Sequence, residues 1–280
     1  MIPLYQALDE GITQKIKPGL VKRLREENIK TWDDLDKWHL SRFATNVKKS
    51  MAASSAHTTF AVFKAFIAKF EDEIILPKDW RKILDAKNEL PMKTYLTAEE
   101  VEAFGEAYVD SDAERTVRDG FYVSCKTGLR HSDLIKLLPS NFQPREGGGY
   151  NLNYVSKKTK IHSTIPCSKE TKEKVEWLHE NGKEVSLVYY NQMVRTLAER
   201  ADIDVEVSVF KAGKELSGPK YKFLSSHSAR ISFCTVLADR RVPLLDISRM
   251  AGHSDPGTTF RRYIVNKSVE LSQEALNYLI

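Results

Sequence analysis

Residues 226–263 read SHSARISFCTVLADRRVPLLDISRMAGHSDPGTTFRRY, and the reading of the whole chain turns on them. His227 and Arg230 stand three apart, so on a helix they share one face. There they offer a ring nitrogen and a guanidinium fork to one ligand, and such a fork matches a phosphate bidentately. Pro243 and Pro256 suit the first turns of two further helices. Gly252 fits the end of the helix begun near Pro243, which leaves His253 in a loop, free to point at a site. Tyr263 falls on or after the next short helix. Taken alone, an HxxR pair occurs by chance, and a histidine near a helix end is more often a cap or a core residue.

Working back along the chain, Thr127-Gly128-Leu129-Arg130-His131-Ser132-Asp133-Leu134 joins two helical patterns. Gly128 ends one helix and Ser132 is placed to cap the next, which holds Arg130 at a corner. An arginine there also suits a C-cap or a surface salt bridge. Helices are expected over Ala98–Tyr108 and Asp112–Cys125, the first opened by a capping box from Thr97 to Glu100. After a turn at Gly147–Gly149, Tyr150–Val155 alternates like a strand. Ser156–Lys160 is a basic turn, and Ile161–Pro166 returns. Residues 168–200 are helical again. Residues 203–224, with Lys211, Lys214, Lys220 and Lys222, read as an irregular basic insertion that either tracks a DNA backbone or is solvated surface.

The chain has 280 residues, 41% of them hydrophobic, enough for one to three domains with sizeable cores. A net charge of +5 and a pI of 8.9 hint only weakly at a polyanionic partner. Cys125, Cys167 and Cys234 are too few and too scattered for a disulfide framework or metal cluster. They fit free thiols in a reducing cytosol. No signal peptide or membrane-length apolar run is visible, and no internal repeat. The first ninety residues read as helices. Pro18 opens one. Thr31 caps another, with Ile29, Trp32, Leu35 and Trp38 at helical spacing. Phe60, Phe63, Phe66, Ile67 and Phe70 form an apolar stripe that suits a packing core. Pro77 and residues 87–93 interrupt the pattern, so a linker is placed near 86–93 between a helical domain, 1–85, and a second domain, 94–280.

Two signatures in order, about a hundred residues apart, carry a resemblance. The string H-x-x-R, G-H and tyrosine at His227, Arg230, Gly252-His253 and Tyr263 resembles the C-terminal signature of the tyrosine recombinase (integrase) family. So does the step of 26 residues from His227 to His253 and the pair Thr258-Thr259. Thr127–Leu134 resembles that family's T-G-L-R-x-S-[DE]-L motif. The sequence departs from the pattern in one place: Tyr263 lies ten residues after His253, where the family usually shows nine.

The resemblance implies a mainly α fold with a small β-sheet or hairpin (α+β): a helical core-binding, SAM-like domain followed by a tyrosine-recombinase catalytic domain with a C-terminal tail helix, together a C-shaped DNA clamp. An extra N-terminal arm-binding domain is not evident. It implies a site-specific DNA recombinase that integrates or excises a phage or mobile element without metal, ATP or cofactor. Tyr263 would be the nucleophile, giving a 3′-phosphotyrosyl link. Arg130 and Arg230 would clamp the phosphate, His227 accept the tyrosine proton, and His253 hydrogen-bond a nonbridging oxygen. Asp133 matches an accessory acidic position. Lys158 would protonate the leaving oxygen, with Lys157 the alternative; Lys157 and Lys160 are otherwise DNA contacts. Implied partners are double-stranded DNA, three further copies on two sites (monomers in free solution), and accessory bending or directionality factors, in the cytoplasm and with no membrane. The apolar tail of Val269, Leu271, Ala275, Leu276 and Leu279 would dock on a neighbouring protomer or pack on its own domain. A type IB topoisomerase-like nicking-closing enzyme or a non-catalytic DNA-binding relative are the alternatives.

Overall fold

The computed structural model describes residues 2–13, 16–86, 94–211 and 214–263. Apart from Ala86, the expected linker lies outside the described residues, and so does the whole apolar tail after Tyr263. Two compact units divide the chain: Met1–Pro91 with Phe210–Glu215, and Met92–Val209 with Leu216–Ile280.

The first unit holds α1 (Leu4–Gly11), α2 (Lys17–Glu26), α3 (Lys37–Ser50), α4 (Ala53–Ile67) and α5 (Trp80–Ile83). The aromatic stripe of α4 is its core: Phe60, Phe63, Phe66 and Ile67 are buried among Leu8, Leu24, Phe43 and Trp80. The helix expected to begin at Thr31 does not form. Residues 29–36 make an irregular turn instead, and α3 starts only at Lys37, capped by Asp36. The cause is local. The Asp34 carboxylate accepts from the backbone N–H groups of Lys30 and Thr31, both at 2.8 Å, which fastens a turn in place of a helix. Ile29, Trp32 and Leu35 still reach the core, whereas Trp38 is exposed.

In the second unit, α6 (Ala98–Glu106) opens with the Thr97–Glu100 capping box and α7 (Asp112–Thr127) follows. α7 is the axis of this unit and buries most of its C-terminal half, from Asp119 to Cys125. After it come α8 (His131–Leu134), β1 (Phe142–Pro144), β2 (Tyr150–Val155), β3 (His162–Cys167), α9 (Lys169–Asn181) and α10 (Leu187–Arg200). Then follow β4 (Glu206–Lys211), β5 (Lys214–Pro219), α11 (Ser226–Asp239), α12 (Leu244–Met250) and α13 (Pro256–Arg262). α7 packs against α6, α9, α10 and α11. β1, β2 and β3 form an antiparallel sheet in which Leu152 pairs with Phe142 and Ile165. Its period-two alternation sends Leu152, Tyr154, Ser163 and Ile165 inward.

Four further expectations are corrected. Residues 206–211 and 214–219 are not irregular: β4 and β5 pair as a two-stranded sheet. Lys220, expected on a basic surface, is buried and pairs with Glu100 through both carboxylate oxygens, at 2.8 and 2.6 Å. Ser132 does not cap α8; that place belongs to Arg130, and Ser132 lies exposed within the helix. Pro243 stands one residue earlier than expected, as the N-cap of α12.

Candidate functional site: a cationic cluster around Tyr263

Three chain corners bring the cluster together. The first is the end of α7, where Gly128 adopts φ +68° and its N–H donates to Ser124 O at 2.8 Å. A Cβ there would come within 2.5 Å of the Phe233 ring, so glycine is required both for the turn and for the approach of α11. Arg130, two residues on, is turned inward. The second corner is the end of α12, where Gly252 has φ +62° and His253 enters the interior. The third is the end of α13, where Tyr263 is the C-cap, its N–H bonded to Thr259 O at 2.9 Å.

Arg230 links two of them. It is fully buried on α11, and its Nη1 donates to Gly128 O at 2.6 Å. Nη2 donates to Ala251 O. Its guanidinium carbon lies 5.2 Å from the centre of the Tyr263 ring. The His253 ring stands 4.4 Å from that of Tyr263, and the exposed His227 ring 5.3 Å from it at 62°. Thr235, inside α11, donates its hydroxyl to Tyr263 O at 2.9 Å. Tyr263, Arg230, His227 and His253 are thus one cluster.

Arg130 is held from the sheet side. Its Nη1 donates to Ser156 Oγ at 3.1 Å, and Ser156 Oγ donates in turn to Asp133 Oδ2 at 3.4 Å. Asp133 lies 3.9 Å from Arg130 Nη1 and accepts the Lys157 N–H at 3.2 Å. Burial holds the Arg130 guanidinium below the usual arginine value, and the charge of Arg230 adds to this. Burial also pushes His253 down to about 3, followed by the charges of Arg230, Arg130 and His227, so its imidazole is neutral at ordinary pH. His253 Nδ1 lies 2.7 Å from Thr259 Oγ1.

Lys157, Lys158 and Lys160 are exposed on the β2–β3 turn. That turn is fastened on both sides, by the Lys157 amide to Asp133 and by Thr159 Oγ1 to Gly252 O at 3.1 Å. The turn is therefore bonded to the Arg130 corner and to the His253 corner at once. Sequence reading gave no site role to three residues that shape the site: Ser156, Thr235 and Thr259. Ser156 continues the inward phase of Leu152 and Tyr154, and Thr259 stands four before Tyr263 on the same helical face. Those signals were present. Among the described residues no group of three His, Cys, Asp or Glu side chains is placed to hold a metal ion. No described helix is long and apolar enough to cross a membrane.

Two guanidinium groups and two imidazoles surround one phenol, with the Asp133 carboxylate placed on one of the arginines, an arrangement suited to an anion. The phage integrase family model matches residues 94–269. The chain belongs to that family, the tyrosine recombinases, enzymes that cut and rejoin DNA. No curated protein matches the sequence significantly. Among solved structures the fold is similar to a XerH site-specific recombinase bound to a palindromic difH substrate (18% identity, 95% of this chain and 77% of the other, TM-score 0.63). It is also similar to lambda integrase in a dimer bound to a core site (15%, 95% and 97%, 0.67). A third is the Tn1549 transposon integrase with transposon right end DNA (17%, 99% and 99%, 0.67). At these identities the likeness is one of fold, a mainly helical α+β architecture.

Proposed function

We propose that this chain is a site-specific DNA recombinase of the integrase kind, acting on double-stranded DNA for a phage or mobile element. The single observation that supports it most is the convergence of Arg130, Arg230, His227 and His253 around Tyr263, from corners spread over more than a hundred residues. Tyr263 Oη attacks the phosphorus and the bond to the 5′ oxygen breaks, leaving a 3′-phosphotyrosyl link and a free 5′ hydroxyl. Arg130 and Arg230 stabilise the charge that builds on the nonbridging oxygens. His227 takes the phenolic proton and His253 hydrogen-bonds a nonbridging oxygen. Lys158 protonates the departing 5′ oxygen from its exposed turn. Asp133 orients Arg130, and Lys157 and Lys160 contact the DNA backbone. The bond energy is kept in the protein–DNA ester, so rejoining is the reverse displacement.

Residues 1–85 are the core-binding domain, 86–93 the linker and 94–280 the catalytic domain, gripping duplex DNA together. Four protomers on two sites carry out exchange, from monomers in solution in the cytoplasm. The similar folds of known structure were captured on DNA, one of them, the XerH recombinase, in a post-cleavage complex. The test is a nicked suicide duplex carrying a core site located by footprinting DNA beside the gene. A covalent complex should form, and mass spectrometry should find the DNA on Tyr263. An adduct elsewhere overturns the nucleophile. Relaxation of supercoils without exchange between two sites overturns the recombinase reading.

A further inference from the structure

We propose that Thr259 is a positioning residue that fixes His253 as the Nε2–H tautomer, so that this imidazole is a hydrogen-bond donor to the phosphate. The inference rests on the phosphate-binding reading above, yet the tautomer itself follows from hydrogen-bond accounting. Thr259 is fully buried in α13, so its hydroxyl proton has no water to turn to. Among the described residues its side chain has one hydrogen-bond partner, His253 Nδ1 at 2.7 Å. A buried hydroxyl that donates to nothing carries the full cost of its lost hydration. Thr259 therefore gives its proton to Nδ1, and Nδ1 must carry a lone pair. A neutral imidazole has one N–H, which then sits on Nε2.

Nε2 is itself buried and has no hydrogen-bond partner among the described residues. The opposite tautomer would strand two groups, the threonine proton and a bare Nε2 lone pair. The assigned one strands only the Nε2–H, which a phosphate satisfies. Nonbridging oxygens are acceptors only, so a donor is complementary and a lone pair would repel them. The role resembles the second-layer hydrogen bonds that select histidine tautomers in other catalytic sites. Thr259 touches no substrate; it acts through His253.

The experiment uses the full chain labelled with ¹⁵N-histidine, with His253 assigned by its loss in H253Q. In the free wild type, Nδ1 should resonate as a pyridine-type nitrogen and Nε2 as a pyrrole-type one. T259S should keep this pattern. T259V, which removes the hydroxyl at similar volume, should lose it and form the covalent complex on the suicide duplex on the order of 10- to 100-fold more slowly, with DNA affinity unchanged. A wild type protonated on Nδ1 overturns the proposal, as does T259V with wild-type tautomer and rate. If T259V does not fold, the wild-type and T259S spectra decide. Because the spectrum is read without DNA, it is independent of turnover. A wild type that forms no covalent complex sinks the recombinase reading instead.

Discussion

Replacing Ser156 by alanine removes one oxygen that serves two charged groups. Ser156 is fully buried, and its Oγ accepts from Arg130 Nη1 at 3.1 Å while donating to Asp133 Oδ2 at 3.4 Å. Hydrogen bonds to charged groups contribute about 1.5–3 kcal/mol each. Asp133 keeps the Lys157 amide, and Arg130 keeps the carboxylate 3.9 Å away, so the low end applies. The expected loss of stability is about 1.5 kcal/mol, a fall in Tm of roughly 3–6 °C for a unit of this size. The catalytic effect should be larger in proportion. Arg130 stays present and charged but is aimed less well, so single-turnover formation of the covalent complex should slow by on the order of 10-fold. That is short of the roughly 10²–10³-fold expected for losing a charge donor outright. DNA affinity, read by gel shift, should not move, because Ser156 is out of reach of a backbone. Wild-type cleavage alongside a lowered Tm would refute the reasoning by making Ser156 structural only. A rate loss matched by an equal affinity loss would refute it as well.

Tyr263→Phe should preserve DNA binding while abolishing the covalent adduct, since the ring still packs on His253 and under Arg230; denaturing gels on the suicide duplex read this. His253 is a histidine whose folded value, about 3, lies below its unfolded one near 6.5. Its contribution is therefore complete above the unfolded value and is lost as pH falls from there toward 3. Relative to H253Q, the wild type should lose about 2 kcal/mol between pH 7 and pH 5 in paired denaturant titrations; parallel curves would contradict the burial of a neutral ring. Lys220→Met should cost on the order of 2 kcal/mol, because it strands Glu100 in a largely enclosed pair. The salt dependence of DNA binding should be unchanged, and a slope lower by about one would return Lys220 to the DNA interface.

Much of the catalytic unit was legible because local chemistry and tertiary structure agree there. The Thr97 capping box, the glycine that ends α7 and the alternation of Tyr150–Val155 each need only near neighbours, and each recurs in the structure. The turn over 29–36 was not legible, because helical spacing of Ile29, Trp32 and Leu35 also suits a turn that buries all three once Asp34 binds two backbone amides. β4 and β5 were hidden by their lysines: Val207 and Val209 alternate with polar residues, but the basic composition suggested open surface. At the site, the residue types of the motif were readable and their partners were not. Nothing in HxxR says that Arg230 is fully buried and bonded to two carbonyls a hundred and twenty-odd residues apart in the chain.

That pair of carbonyl bonds has an evolutionary consequence. Arg230 ties the end of α7 to the end of α12 whether or not DNA is ever cut. Replacing it would leave two interior carbonyls without donors and a large void, each costly by itself. A Tyr263→Phe change leaves no such void, since the ring stays packed on His253 and Arg230. A lineage released from selection for strand cutting would therefore drift first to phenylalanine at the end of α13 and keep its arginine long afterwards. In a collection of related sequences, the arginine marks descent and the phenol marks a working enzyme.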